Sequence, residues 1–529
     1  MMKKQNTLTK ITSFLMALLM MFGTTSVCAF AATTDMPASN AKGYITVTGL
    51  EKDATATAYQ LITVDYDYTA KAPKSPEFYW VNNQQLRDFV NTEYPGVVNA
   101  DGSVNTDVLN PIKESTENSA TLYDQIASKI RNGNITLADA GSVTGNGKIN
   151  NLDMGNYLIL IEGGKKVYRA NAANIVPTYN RDANVWKLEN PEITEKSSTT
   201  NIEKKIVTAD GEVVKTNASV GDTVKFEITT NIPTYPELSL NSKYIVSDKA
   251  AAGLTFGAIS KVYGVDEAGQ TYELAADAYT TSQARPNSDA VDFALSFDYA
   301  KIKAYKQIRI EYTATVNKDA VIGNTGNANT AYLDYSNNPY ASPETWESFN
   351  SSTTVYSFGF DLTKVDKKTN AALKGAEFEV YSDAELTNKI SFVGTNGNYK
   401  KADATQTGEA VTTVAVDDSG KLILAGLAEG TYYLKETKAP AEYNIARDAF
   451  ELTVKDIDND GIAENADNSV KFENGLVTIS IPNSNGFQLP TTGGMGTILF
   501  TVGGIALIAL GAVMIVLIRK NSKKADAAE

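Results

Sequence analysis

The sequence predicts a mainly β protein of tandem two-sheet sandwich domains in an elongated array, the first with helical insertions. Three observations carry that expectation. Tyrosine (27 residues), threonine, valine and asparagine are plentiful, which suits strands and turns rather than helix bundles. Short runs alternating apolar and polar residues recur along the chain, bounded by turn signals. The 529 residues accommodate about three domains at ~100–200 residues each.

The first residues carry Lys3, Lys4 and Lys10, then an apolar run over 11–22, then Ala29-Phe30-Ala31. That is the layout of a secretory signal peptide, expected at 1–31 with cleavage after Ala31. The apolar run falls short of the ~20 residues that a bilayer span needs. In the first domain, 32–195, Tyr44, Thr46 and Thr48 alternate with Ile45 and Val47 and predict a strand over 43–50. A second strand is expected over 56–64 and a third over 155–161. Apolar residues at helical spacing predict helices over 82–94 and 122–131. The polar stretch 190–200 around Pro191 reads as the junction to a second β-rich domain, 196–354. Strands are expected there over 222–229, 244–247, 308–316 and 331–335. A third domain of short strands and turns, 355–488, follows.

Residues 498–518 are almost wholly apolar and long enough to span a membrane as a helix. Arg519, Lys520, Lys523 and Lys524 follow at once, and such residues stay on the cytoplasmic side, so the bulk of the chain is expected outside. Directly before the span stands Leu489-Pro490-Thr491-Thr492-Gly493. Pentapeptide, span and basic tail, 489–529, together resemble the cell-wall sorting signal of Gram-positive bacteria. The resemblance implies that a sortase cuts between Thr492 and Gly493 and passes the new Thr492 carboxyl to an amine. The membrane-held form is then a transient precursor of a wall-anchored surface protein.

Composition removes several function classes. The chain has no histidine, and its one cysteine, Cys28, lies before the expected signal cleavage. Disulfides, thiolate zinc sites and cysteine nucleophiles are excluded from the mature protein. Ser-His-Asp triads and imidazole acid–base chemistry go with them. A net charge of −14 argues against nucleic acid as a partner. No cofactor or resident metal is expected.

Strand parity exposes an unusual feature. In Phe360-Asp361-Leu362-Thr363-Lys364, Lys364 shares a face with Phe360 and Leu362. By the same rule Glu436 shares a face with Tyr432 and Leu434, and Asn483 with Val477, Ile479 and Ile481. An amine, a carboxyl and an amide thus point to one core, where a lone charge is costly. Two resolutions are open. One is a Lys–Glu salt bridge with Asn as a hydrogen-bond partner. The other is chemistry: a desolvated, neutral lysine displaces ammonia from the asparagine amide, polarised by a protonated acid. The second domain repeats the pattern with Lys204 beside Ile202 and Ile206, Asp248 beside Tyr244 and Val246, and Asn329 beside Ala331 and Leu333. Lys205 and Asn337 are the rival positions.

The motifs Leu362-Thr363-Lys364-Val365-Asp366, Leu373-Lys374-Gly375-Ala376-Glu377-Phe378 and Gly430-Thr431-Tyr432-Tyr433-Leu434-Lys435-Glu436-Thr437 resemble the collagen-adhesin B-type Ig-like domain. The stretch running on to Lys438-Ala439-Pro440-Ala441-Glu442-Tyr443 is similar to the E-box of pilins, with Glu442 where the family often has glycine. The resemblance implies a Lys364–Asn483 isopeptide bond with Glu436 as catalyst. Asn329-Thr330-Ala331-Tyr332-Leu333-Asp334-Tyr335 is similar to the closing strand of the middle domain of Spa-type major pilins. That implies a Lys204–Asn329 bond with Asp248 as catalytic acid.

A pilus backbone also needs a surface lysine to accept the next subunit's Thr492. The family's Tyr-Pro-Lys motif is absent. Lys196, a few residues before the second domain's first strand, takes its place, with Lys187 as the alternative. Asp456-Ile457-Asp458-Asn459-Asp460-Gly461, with Asp467 at the twelfth position, has the acid spacing of a calcium loop, but strand-like flanks favour a polar hairpin turn.

The resulting expectation is a structural, non-enzymatic backbone subunit of a sortase-assembled pilus. Its expected partners are pilin-type and housekeeping sortases, other pilin subunits and peptidoglycan. The alternative is a monomeric or tip adhesin whose first domain binds a host surface ligand. A wall-anchored enzyme has no nucleophile–base constellation behind it.

Overall fold

Alternation along strands sorts the side chains of each domain between a core and a surface, and in one strand between two cores. The computed structural model describes residues 36–109, 116–180, 183, 185–286, 289–341, 345–406, 408–485, 504–505, 507–511 and 513–515. The expected signal peptide, the Leu489–Gly493 pentapeptide and most of the expected span 498–518 lie outside these residues. Among the described residues no helix is long and apolar enough to cross a membrane.

In the first domain, the strand Gly155–Glu162 is buried on both faces. Tyr157, Ile159 and Ile161 pack with Ile45, Val47 and Ile149, whereas Leu158 and Leu160 pack with Trp80, Leu86, Val90 and Ile126. Period two explains the division, and burial on both sides explains the unbroken apolar run. The second of these cores is covered by the helices Gln84–Glu93 and Thr116–Arg131. Asn83 caps the former, its side-chain oxygen accepting from the Leu86 amide at 2.9 Å. The helical insertions thus exist to close one face of a sheet.

The stretch 190–200, expected as a polar junction between the first two domains, contains two short strands. Glu192–Thr194 pairs in parallel with Gly43–Thr48. Ser197–Ser198 pairs with Val167–Tyr168. Both are too short to show periodicity of their own, and their partners are more than a hundred or about thirty residues away in sequence.

In the middle domain two six-stranded sheets enclose one core. The first contains Ile202–Thr208, Thr223–Asn231 and Gln307–Val316 as neighbours. The second contains Tyr244–Ala250 paired with Asn327–Tyr335. The third domain packs a five-stranded sheet on a four-stranded one. Its strand Phe358–Asp366 runs parallel to the last strand, Leu476–Asn483, with Lys364 opposite Ile481 and Asp366 opposite Asn483. Gly430–Lys438 belongs to the other sheet.

The domains also touch. Tyr340 of the middle domain is buried within the helix-covered core of the first. Its hydroxyl donates to Asp124 Oδ1 at 2.5 Å and accepts from the Ala170 amide at 3.1 Å. At the next seam the Val220 amide donates to the Gly426 carbonyl at 2.9 Å and the Ala428 amide to Ser219 Oγ at 2.8 Å.

Candidate functional site

Lys204 and Lys364 are the two buried lysines among the described residues, at 0% and 1% exposure. Each belongs to a strand whose apolar neighbours of equal parity face the core, so the backbone has no other direction in which to point them. Each is met by an acid and an amide.

In the third domain, Lys364 and Asn483 sit diagonally on adjacent parallel strands, and Glu436 reaches them from the facing sheet. Lys364 Nζ donates to Asn483 Oδ1 at 2.7 Å and stands 3.0 Å from Glu436 Oε1. Asn483 Nδ2 donates to both Glu436 oxygens at 3.0 Å. The Ala446 amide donates to Glu436 Oε2 at 2.6 Å and fixes the carboxyl. The rings of Phe378 and Phe450 lie 5.3 and 5.1 Å from Nζ. Burial pushes the Lys364 amine below its usual range, opposed by Glu436. An amine inclined to neutrality therefore touches the carboxamide that it could attack, while one carboxyl contacts both nucleophile and leaving nitrogen.

In the middle domain the same residue types are arranged differently. Lys204 lies on one sheet, and Asp248 and Asn329 lie on the other. Lys204 Nζ pairs with Asp248 Oδ2 and donates to the Tyr312 hydroxyl. Asn329 Nδ2 donates to that same hydroxyl at 3.1 Å, and Asn329 Oδ1 is buried with no hydrogen-bond partner. Burial pushes Lys204 down to about 8, with Asp248 pulling the other way. Burial also raises Asp248, with Lys204 opposing. Both shifts favour the uncharged forms. The rival positions are occupied otherwise: Lys205 pairs with Glu203 at 2.7 Å, and the Asn337 amide donates to the Gly164 carbonyl at 2.9 Å.

Sequence reasoning missed Tyr312. The signal was available, because Tyr312 shares inward parity with Ile308, Ile310 and Ala314 on Gln307–Val316. A tyrosine on an apolar face reads as core, and its ring is indeed core, stacked on Phe226 at 5.4 Å. Only the position of its hydroxyl distinguishes it.

Lys196 lies between the two short strands of the junction, with its carbonyl accepting from the Arg169 amide at 3.1 Å. Partial burial lowers its amine, and the neighbouring Arg169 adds to the effect. Its neighbour Glu195 is 5% exposed, with both carboxyl oxygens buried and unpartnered. Burial raises that carboxyl to about 8. Lys187, on Val185–Leu188, is exposed, 3.6 Å from Glu189.

In the acidic loop, ligand atoms of Asp456, Asp458 and Asp460 lie within 4.8 Å of one another. Asp467 does not join them and accepts instead from the Ser469 amide at 3.1 Å. Lys471 stands 3.6 Å from Asp458, and the loop lies between Phe450–Val454 and the paired strands Ala463–Glu464 and Lys471–Phe472. That is a hairpin with strand flanks.

Comparison with known proteins agrees with this anatomy. Residues 220–339 match the Gram-positive pilin backbone subunit 2, Cna-B-like domain. Residues 359–469 match a SpaA-type prealbumin-like fold domain, and 481–523 match the LPXTG cell wall anchor motif. The trypsin-resistant surface T6 protein of Streptococcus pyogenes serotype M6 is 26% identical over 322 residues, 56% of this chain and 55% of that protein. Fimbrial subunit type 1 of Actinomyces viscosus is 25% identical over 333 residues, 56% of this chain and 60% of the relative. The matched stretches thus span a little over half of each curated relative. Among solved structures, the three-domain T6 backbone pilin of the same streptococcal serotype superposes with a TM-score of 0.58 at 20% identity, covering 85% of this chain and 99% of that one. The fold is that of multidomain pilin backbones. The chain carries pilin-backbone domains and a cell-wall anchor motif, and its place is the cell surface.

Proposed function

We propose that this chain, built from pilin-backbone domains, is the shaft subunit of a sortase-assembled pilus held rigid by its own isopeptide bonds. A pilin-type sortase cuts after Thr492 and joins that carboxyl to Lys196 of the next subunit. A housekeeping sortase fixes the base to peptidoglycan. The chain's own chemistry is two single-turnover cross-links, Lys364–Asn483 and Lys204–Asn329, in place of the disulfides that it lacks.

The observation that carries this reading is the buried triad of Lys364, Asn483 and Glu436. Its mechanical sense follows from topology. Tension enters the third domain at the start of Phe358–Asp366 and leaves at the end of Leu476–Asn483, and these strands are parallel neighbours. A bond between Lys364 and Asn483 passes the load directly from one to the other. The 118 residues between them then carry no tension, because 119 positions separate the linked pair. Lys196 suits the acceptor role because its partial burial favours the neutral, nucleophilic amine.

An immunoblot of boiled cell-wall extract, wild type beside Lys196→Ala, tests polymerisation. The expected result is a high-mass ladder in wild type that disappears in the variant. A surviving ladder moves the acceptor, with Lys187 next. A single band in wild type overturns the shaft reading in favour of a wall-anchored adhesin.

A further inference from the structure

The two cross-linking sites differ in one respect that their shared residue types conceal. In the third domain a single carboxyl spans the reaction: Glu436 lies 3.0 Å from both Lys364 Nζ and Asn483 Nδ2. In the middle domain the acid is Asp248, shorter by one methylene. It pairs with Lys204, but the Asn329 amide nitrogen donates to Tyr312 instead. Among the described residues the Tyr312 hydroxyl is thus the one group hydrogen-bonded to both the attacking and the leaving nitrogen.

We infer that Tyr312 is a catalytic proton relay for the middle-domain cross-link, completing the span that Asp248 is too short to make. This rests on the cross-linking reading given above. Neutral Lys204 Nζ attacks Asn329 Cγ. The Nζ–Cγ bond forms and the Cγ–Nδ2 bond breaks. Tyr312 Oη takes a proton from Nζ and gives its own to Nδ2, which leaves as ammonia. The hydroxyl ends as it began, and no oxidant or further reactant is needed. Asn329 Oδ1, with no hydrogen-bond partner, stays available to the Asp248 acid as negative charge develops on it.

The surroundings suit the role. The Tyr312 ring is stacked on Phe226 and edge-on to Phe293 at 5.1 Å, so its hydroxyl is held in one place. Burial and the nearby Asp248 keep that hydroxyl protonated far above the usual tyrosine range, so it transfers protons without resting as a phenolate. Lys204 Nζ lies over the rings of Phe226 and Tyr312, 5.1 and 5.2 Å from their centres, and is itself without exposure to solvent. With bulk water excluded, the proton needs a carrier from the protein.

The test is a pulse-labelled time course on the full chain in cells, followed by peptide mapping of the Lys204–Asn329 and Lys364–Asn483 linked peptides. In Tyr312→Phe the Lys204–Asn329 link is expected to form at least tenfold more slowly than in wild type, with the Lys364–Asn483 link unchanged. Equal rates in wild type and variant overturn the relay and leave the cross-linking reading standing. Absence of the Lys204–Asn329 peptide from wild type overturns both. Should Tyr312→Phe fold poorly, difluorotyrosine at position 312 keeps ring and hydroxyl but raises the acidity. A changed rate of linkage is then expected, and an unchanged one overturns the relay.

Discussion

Lys364 Nζ lies 2.7 Å from Asn483 Oδ1 although 119 positions separate the two residues, and both are almost fully buried. The contact joins the first and last strands of the third domain. A charged ammonium is a poor occupant of that place, since burial opposes its charge. The proposed uncharged amide bond would remove the difficulty and close the domain on itself.

The first prediction concerns mass. The protein with mature termini should weigh two ammonias less than its sequence. Lys364→Ala and Lys204→Ala should each restore one. An unshifted wild-type mass by intact mass spectrometry would sink both bonds.

Stability should follow. A covalent link closing a loop of this length contributes on the order of 5 kcal/mol by restricting the unfolded chain. Glu436→Gln, which keeps the packing but removes the acid, should leave the third domain uncross-linked. Its calorimetric midpoint should fall by roughly 10–20 °C at this domain size. A midpoint within error of wild type would mean that the bond is absent or that Glu436 is not its catalyst.

The first domain should weaken with rising pH. Burial lifts the Glu195 carboxyl from 4.5 to about 8. Its folded value lies above its unfolded one, so the folded state holds the proton more tightly. Its contribution is therefore complete below about 4.5 and is lost as pH rises towards 8. Thermal unfolding of that domain should fall across this window, each kcal/mol shifting the midpoint by ~2–4 °C. Glu195→Gln should flatten the profile. An equally steep profile in the variant would assign the pH dependence elsewhere.

Tyr340 should hold the first two domains together. Its ring fills the first domain's core and its hydroxyl bonds Asp124 and the Ala170 amide. Removing a buried aromatic side chain costs about 3–5 kcal/mol. Tyr340→Ala should expose the seam to trypsin, with new cleavage after Arg169 or Lys196. Digestion kinetics like those of wild type would show the seam to be held by other contacts.

The candidate site was largely legible because strand parity is a local property. Lys364, Glu436 and Asn483 each betray their direction through neighbours two residues away, and the same holds for Lys204, Asp248 and Asn329. Tyr312 obeys the same rule but carries no charge, so nothing local separates its hydroxyl from its ring. The two short strands within the junction, Glu192–Thr194 and Ser197–Ser198, were not legible because they are strands only by virtue of distant partners.

By itself the sequence determined which side chains face inward, which chemistries are absent for want of histidine and mature cysteine, and where the sorting motif stands. The first follows from a two-residue period that needs no knowledge of the rest of the chain, the second from composition, and the third from the resemblance of 489–529 to a cell-wall sorting signal. The tertiary structure alone decided which inward residues meet. It put Lys364 and Asn483 on one sheet but Lys204 and Asn329 on facing sheets, and brought Tyr312 between the latter pair. Those meetings depend on strand pairing between residues as far apart as Tyr244 and Tyr335 in the middle domain and Gly359 and Leu476 in the third, and pairing of that range is chosen by the packing of the whole core.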